Sequence, residues 1–119
     1  EGVNEKMAEF ITPIAILGDQ MTKFTTEIGF KGFQNPDEVG AAAVDYLRVA
    51  GHLVFGYLFA RMAQVALRQI AAGNTDPFYG AKLQTARFYF SKLFPETATL
   101  MRTARAGSKV LMDTDLALA

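Results

Sequence analysis

Two apolar stripes, with gaps alternating between four and three residues, open and close this 119-residue chain, on either side of a long apolar middle segment. That spacing keeps one face of a helix turned toward a partner and admits little other than long packed helices. The first stripe passes through Val3, Met7, Phe10, Ile14, Leu17, Met21, Phe24 and Ile28. Pro13 lies inside it and removes one backbone hydrogen bond, yet the stripe stays in phase across it, so one bent helix is expected. Gly29 is the expected C-terminal cap. Asn35-Pro36 then opens the next element, with Asp37 and Glu38 in a first turn where the helix dipole favours anions.

The second element, from about Pro36 to Ala72, should span roughly 55 Å at the helical rise. Its run from Val49 to Ala60 carries no charge, has His52 as its one strongly polar side chain, and is bounded by Arg48 and Arg61. A membrane-spanning helix needs roughly 20 apolar residues, so the expectation is a buried helix and not a membrane span. On a helical wheel Asp37, Glu38, Asp45, Arg48 and His52 share one side. Arg61, Gln64 and Arg68 fall on a side rotated by roughly 150°. Such a helix packs against different neighbours in its two halves. Gly40, Gly51 and Gly56 weaken it unless another backbone comes close there.

Gly73-Asn74-Thr75 should stop this helix, and Asp76-Pro77 should start the third, with Gly as C-cap, Asp as N-cap and Pro at the first helical position. The second stripe, on this third element, runs Tyr79, Leu83, Ala86, Phe90, Leu93, Thr97, Leu100, Ala104, Leu111 and passes through Pro95. It predicts one helix kinked at Pro95 or two nearly end to end. The fold expected is therefore all-α: an antiparallel bundle of three long helices, or four if Pro95 breaks the third. Residues 1–119 read as a single helical domain with a frayed tail over about 113–119. The opening Glu1-Gly2-Val3, with no initiator Met or signal peptide, reads as a piece of a larger chain.

Composition then removes whole classes of chemistry. Twelve Lys and Arg balance twelve Asp and Glu, which leaves neither the basic footprint of a nucleic-acid binder nor a basic face for an anionic membrane. With no Cys and one His there is no disulfide framework, no thiolate chemistry and no Cys-based metal site. A di-iron carboxylate bundle needs two Glu-x-x-His pairs, and Glu5 and Glu9 read as solvated surface. His52 with Ser91 or Ser108 lacks a nucleophile-elbow sequence, and no phosphate-binding glycine motif occurs. No catalytic, cofactor-binding or metal-ligating residue is therefore assigned. His52 reads as a histidine at a helix interface, bonded to a neighbouring carboxylate or carbonyl, with proton transfer as the rival reading. Arg102, Arg105 and Lys109 are explained by the dipole of the third helix.

The aromatic runs say more. Phe88, Tyr89 and Phe90 are consecutive, so on a helix they cover most of its circumference and cannot all face one core. If a central helix buries two of them, Tyr89 is the one expected to keep a wet hydroxyl. Phe55, Tyr57 and Phe59 show the same excess on the second helix. These six residues form the candidate docking surface for another domain or subunit.

Order and spacing of several strings also carry a resemblance. They are Ala43-Val44-Asp45-Tyr46-Leu47-Arg48-Val49-Ala50-Gly51, then Gly56-Tyr57-Leu58-Phe59-Ala60-Arg61-Met62-Ala63, then Phe78 through Phe90, and finally Leu93-Phe94-Pro95-Glu96-Thr97 with Ala106-Gly107. Together they resemble the C-terminal helical domain of bacterial acyl-CoA dehydrogenases, of the methylmercaptopropionyl-CoA dehydrogenase-like class. The match covers residues 36–112 and reaches the first helix by position only. The resemblance implies a cytoplasmic, FAD-dependent parent enzyme, a homo-oligomer, that oxidises an acyl-CoA to a 2-enoyl-CoA. The family's base lies in an Ile-Tyr-Glu-Gly-Thr-like stretch that this chain lacks, so no catalytic or flavin-binding residue is carried over. The fragment would pack against the remaining domains and help shape the acyl pocket. A free-standing helical interaction module is the alternative.

Overall fold

A computed structural model describes residues 2–107, and every structured element among them is helical. A short α1 (Gly2–Lys6) runs through Met7 into α2 (Ala8–Gln34). The long α3 (Asp37–Ala71) follows, then α4 (Pro77–Phe88), a π-turn over Tyr89–Leu93, and α5 (Glu96–Ala104). The expected tail at 113–119, with Leu111, Lys109 and Ser108, lies outside the described residues.

The first stripe is buried or half-buried at every position from Val3 to Ile28. Two boundaries differ from expectation. The discontinuity falls at Met7 and not at Pro13, which sits within α2. Gly29 does not cap the helix: α2 continues to Gln34 and ends where Asn35 turns to extended backbone. The Asn35 side chain explains the choice, because its Oδ1 accepts the Asp37 amide at 3.1 Å and starts α3.

The turn between α3 and α4 is closed at both ends. Gly73 adopts φ +90, its amide donates to the Ile70 carbonyl, and the Asn74 amide donates to Gln69. These are the two bonds of a Schellman cap, and the positive φ is what selects glycine. Asp76 Oδ1 accepts the Phe78 amide at 3.0 Å as N-cap, with Pro77 at the first helical position.

Pro95 does separate two helices, and the π-turn before it shifts the stripe by one residue. The Phe94 amide donates to the Tyr89 carbonyl at 2.8 Å, five residues back. Phe94 therefore enters the core, 6% exposed, while the expected core residue Leu93 is 47% exposed. Thr97 and Ala104 remain buried, so the phase is recovered after the proline.

α3 is the centre of the arrangement. It runs antiparallel to α2, with Gly56 against Ile14 and Tyr46 against Phe24, and antiparallel to α4 and α5, with Leu67 clustered with Leu83 and Arg48 bonded to Glu96. Its bundle-facing side is built of Ala42, Val49, Gly56, Ala60, Ala63, Ala66 and Leu67, mostly small residues that let neighbouring helices come close. The assembly is a flattened slab, 64 × 28 × 14 Å. One side of the central helix is consequently left open on the broad face. The expectation of a buried α3 is thus corrected: Val54, Phe55, Tyr57 and Leu58, in the middle of the apolar run, are all more than half exposed. By length and composition alone α3 could cross a membrane, as the core helix of many soluble proteins could.

Candidate functional site

The six aromatic residues expected to form a docking surface divide into two groups. Phe55, Tyr57 and Phe88 are at the surface, between 53% and 57% exposed. Phe59, Tyr89 and Phe90 pack inside: Tyr89 is 3% exposed and stacks on Phe59 at 4.5 Å, and Phe90 meets Phe10 at 5.7 Å. The expectation that Tyr89 keeps a wet hydroxyl is reversed. Phe88 points outward in its place, because it stands two residues past the buried Ala86, whereas Tyr89 and Phe90 stand three and four past it, on the same face of α4.

The Tyr89 hydroxyl has internal partners. It lies 3.0 Å from the His52 carbonyl and 2.8 Å from His52 Nδ1. His52 Nε2 faces Glu96 Oε1 at 3.0 Å, and Arg48 donates to both carboxylate oxygens, Nε at 2.8 Å and a terminal nitrogen at 3.3 Å. The carboxylate can only accept from His52, so Nε2 carries a proton. In the neutral ring Nδ1 is then an acceptor, and the single Tyr89 proton is shared between it and the backbone carbonyl. Burial, reinforced by the Glu96 charge, pushes the Tyr89 phenol up to about 12. The His52 bond, then the Arg48 bond, holds the Glu96 carboxyl below its usual range.

The His52 ring is therefore bonded to a carboxylate, as the interface reading expected, and to the Tyr89 hydroxyl, but the carboxylate comes from α5 and not from Asp45 nearby. A separation of 44 residues hides that partner from any local pattern. Two other residues change role. Glu9 is not simply solvated: Arg87 grips it through Nε at 2.9 Å and a terminal nitrogen at 3.4 Å. Arg105 reaches Glu27 at 3.3 Å across to α2 and covers the Phe24 ring, rather than serving the dipole of its own helix. These ion pairs tie α4 and α5 to α2 along the bundle.

The arrangement is that of a clamp. Tyr89 and Glu96 flank the π-turn and Pro95, and through His52 and Arg48 they fix it to the middle of α3. Among the described residues no group of three or more His, Asp or Glu is placed to hold a metal ion, and no buried side-chain polar atom lacks a hydrogen-bond partner. The larger concavities are open; one, over Lys31, Glu38 and Arg105, is about half polar, and the others are mostly apolar. One of about 310 Å³ lies between α2 and α3, over Ile11, Ile14 and Tyr57.

The comparison with known families decides what bundle this is. The family described as Acetyl-CoA dehydrogenase C-terminal like matches residues 1–115, nearly the whole chain. The chain belongs to that family. The match includes the first helix, which the sequence motifs reached only by position. A search of curated proteins finds no match.

Proposed function

We propose that this chain is the non-catalytic helical C-terminal domain of an FAD-dependent acyl-CoA dehydrogenase of the methylmercaptopropionyl-CoA dehydrogenase-like class. The parent would be a cytoplasmic homo-oligomer that oxidises an acyl-CoA to a 2-enoyl-CoA. The base and the flavin belong to its other domains, and the chain contributes packing, assembly and part of the wall around the acyl pocket.

The observation that carries this reading is the surplus of exposed apolar side chains on a member of this family. Phe33 is 95% exposed, Val44 77%, Phe30 75% and Leu47 73%. Monomeric soluble proteins seldom leave such contiguous surface uncovered.

The test compares the 119-residue chain with the full product of its gene. The full product should be yellow with bound flavin and oxidise acyl-CoA, and the isolated chain should be colourless. Deleting the chain should lower the assembly state while each remaining bound flavin keeps its absorbance. Flavin retained by the isolated chain, or a start codon immediately before Glu1, would sink the proposal, the second in favour of a free-standing interaction module.

A further inference from the structure

The open face of α3 is organised in a way that points to one occupant. In its first half the helix turns its polar side chains toward its own bundle: Arg48 and His52 reach Glu96. Its bulky aliphatic residues point the other way. Val44, Leu47, Val54 and Leu58 are 77%, 73%, 59% and 54% exposed. With Gly51 they form a stripe spaced three, four, three and four, the seam of a two-helix contact. The most deeply buried side of α3 is mostly small, and this second apolar side is left uncovered.

We propose that α3 packs antiparallel against α3 of a second copy of this chain, about a twofold axis at Gly51. The stripe complements itself in that arrangement. Val44 meets Leu58 of the second copy, Leu47 meets its Val54, and the two Gly51 backbones face each other. A Cβ at Gly51 would touch nothing within 4 Å inside its own bundle. The space above Gly51 is therefore open to another backbone, and glycines at a helix crossing permit close approach.

Charge sets the direction. Arg61 stands ten residues beyond Gly51, and Asp37 fourteen before it. Antiparallel pairing brings the two within about one helical turn, roughly 6 Å along the axis. Parallel pairing would set Arg61 against itself. The proposal does not depend on the parent being a dehydrogenase.

The chain has no cysteine, so single cysteines report the pairing directly. Leu47→Cys and Val54→Cys, mixed in equal amounts and mildly oxidised, should give a covalent dimer. Each variant alone should not, because its own equivalents lie about 9–12 Å apart along the axis, beyond disulfide reach. The wild-type chain should sediment as a dimer at tens of micromolar. Leu47→Arg should raise the dissociation constant at least about tenfold with unchanged helical circular dichroism.

Either single variant cross-linking as well as the mixture would mean a parallel pair and overturn the proposal. So would a wild-type monomer, or a chain that floats with phosphatidylcholine vesicles through α3. If the thiol of the Val54→Cys variant, placed in the full gene product, were shielded from maleimide yet never cross-linked, the parent's own body would be the occupant. That result would overturn the pairing while leaving the domain assignment intact.

Discussion

Replacing Tyr89 with Phe removes one oxygen from the centre of the α3 clamp and should leave a signature in pH as well as in stability. At neutral pH the variant loses the hydroxyl's contacts to His52 Nδ1 and the His52 carbonyl, at 2.8 and 3.0 Å. A part-buried network of this kind is worth about 1–2 kcal/mol. The ring itself stays, so its stacking on Phe59 is kept. The wild-type phenol is pushed up to about 12 in the folded protein, against about 10 when unfolded. A raised value means the stability is complete below pH 10 and is lost as pH climbs toward 12. At pH 11 the wild type should have lost at most about 1.4 kcal/mol through this group. Screening trims the figure, because Glu96 beside it reaches solvent. Urea unfolding at pH 7 and pH 11, followed by circular dichroism, should therefore show the gap between wild type and variant closing as pH rises. A gap that stays constant, or widens, would refute the account of Tyr89 as a buried donor clamped to His52.

At the acid end, Glu96→Gln should flatten the loss of stability that the wild type suffers as pH falls through the carboxylate range. The Glu96 value is lowered by its His52 and Arg48 bonds, so its contribution is present above that range and vanishes below it. Phe94→Ala should destabilise by about 3–5 kcal/mol in thermal unfolding, because its ring fills the core position created by the π-turn. Gly40→Ala, where an added Cβ meets nothing within 4 Å, should stabilise by about 1 kcal/mol. Gly56→Leu should unfold the chain, since a Cβ there already lies 3.1 Å from the Phe94 ring. Arg87→Ala should change stability by under about 1 kcal/mol, and less at high salt, since its pair with Glu9 is half exposed.

Much of the framework is legible in the chain because it is local. The stripe from Val3 to Ile28, the Gly73 cap and the Asp76-Pro77 start each depend on contacts within a few residues, so periodicity and capping chemistry suffice. The end of α2 falls at Asn35 rather than at Gly29 because the Asn35 side chain accepts the Asp37 amide and starts α3 there. The exchange of Leu93 for Phe94 follows from one extra residue in the π-turn, which no apolar spacing announces.

The candidate site divides along the same line. That the aromatic residues exceed what one core can hold is a matter of counting faces, and the sequence determines it. Which of them face outward is not: Phe88 and Tyr89 are neighbours of similar size, and Tyr89 goes in because α3 covers its side of α4, with Phe59 against its ring and His52 against its hydroxyl. Likewise His52 needs a partner by its chemistry, but its carboxylate arrives from 44 residues away on another helix. The composition of α3 made it an apolar helix under any fold. The flattened packing of its neighbours, which cover the alanine side and leave Val44, Leu47, Val54 and Leu58 open, turned it into a surface. Helix formation is decided by bonds four residues apart, whereas burial is decided by which helices happen to cover which side, and that is fixed only when the whole bundle has closed.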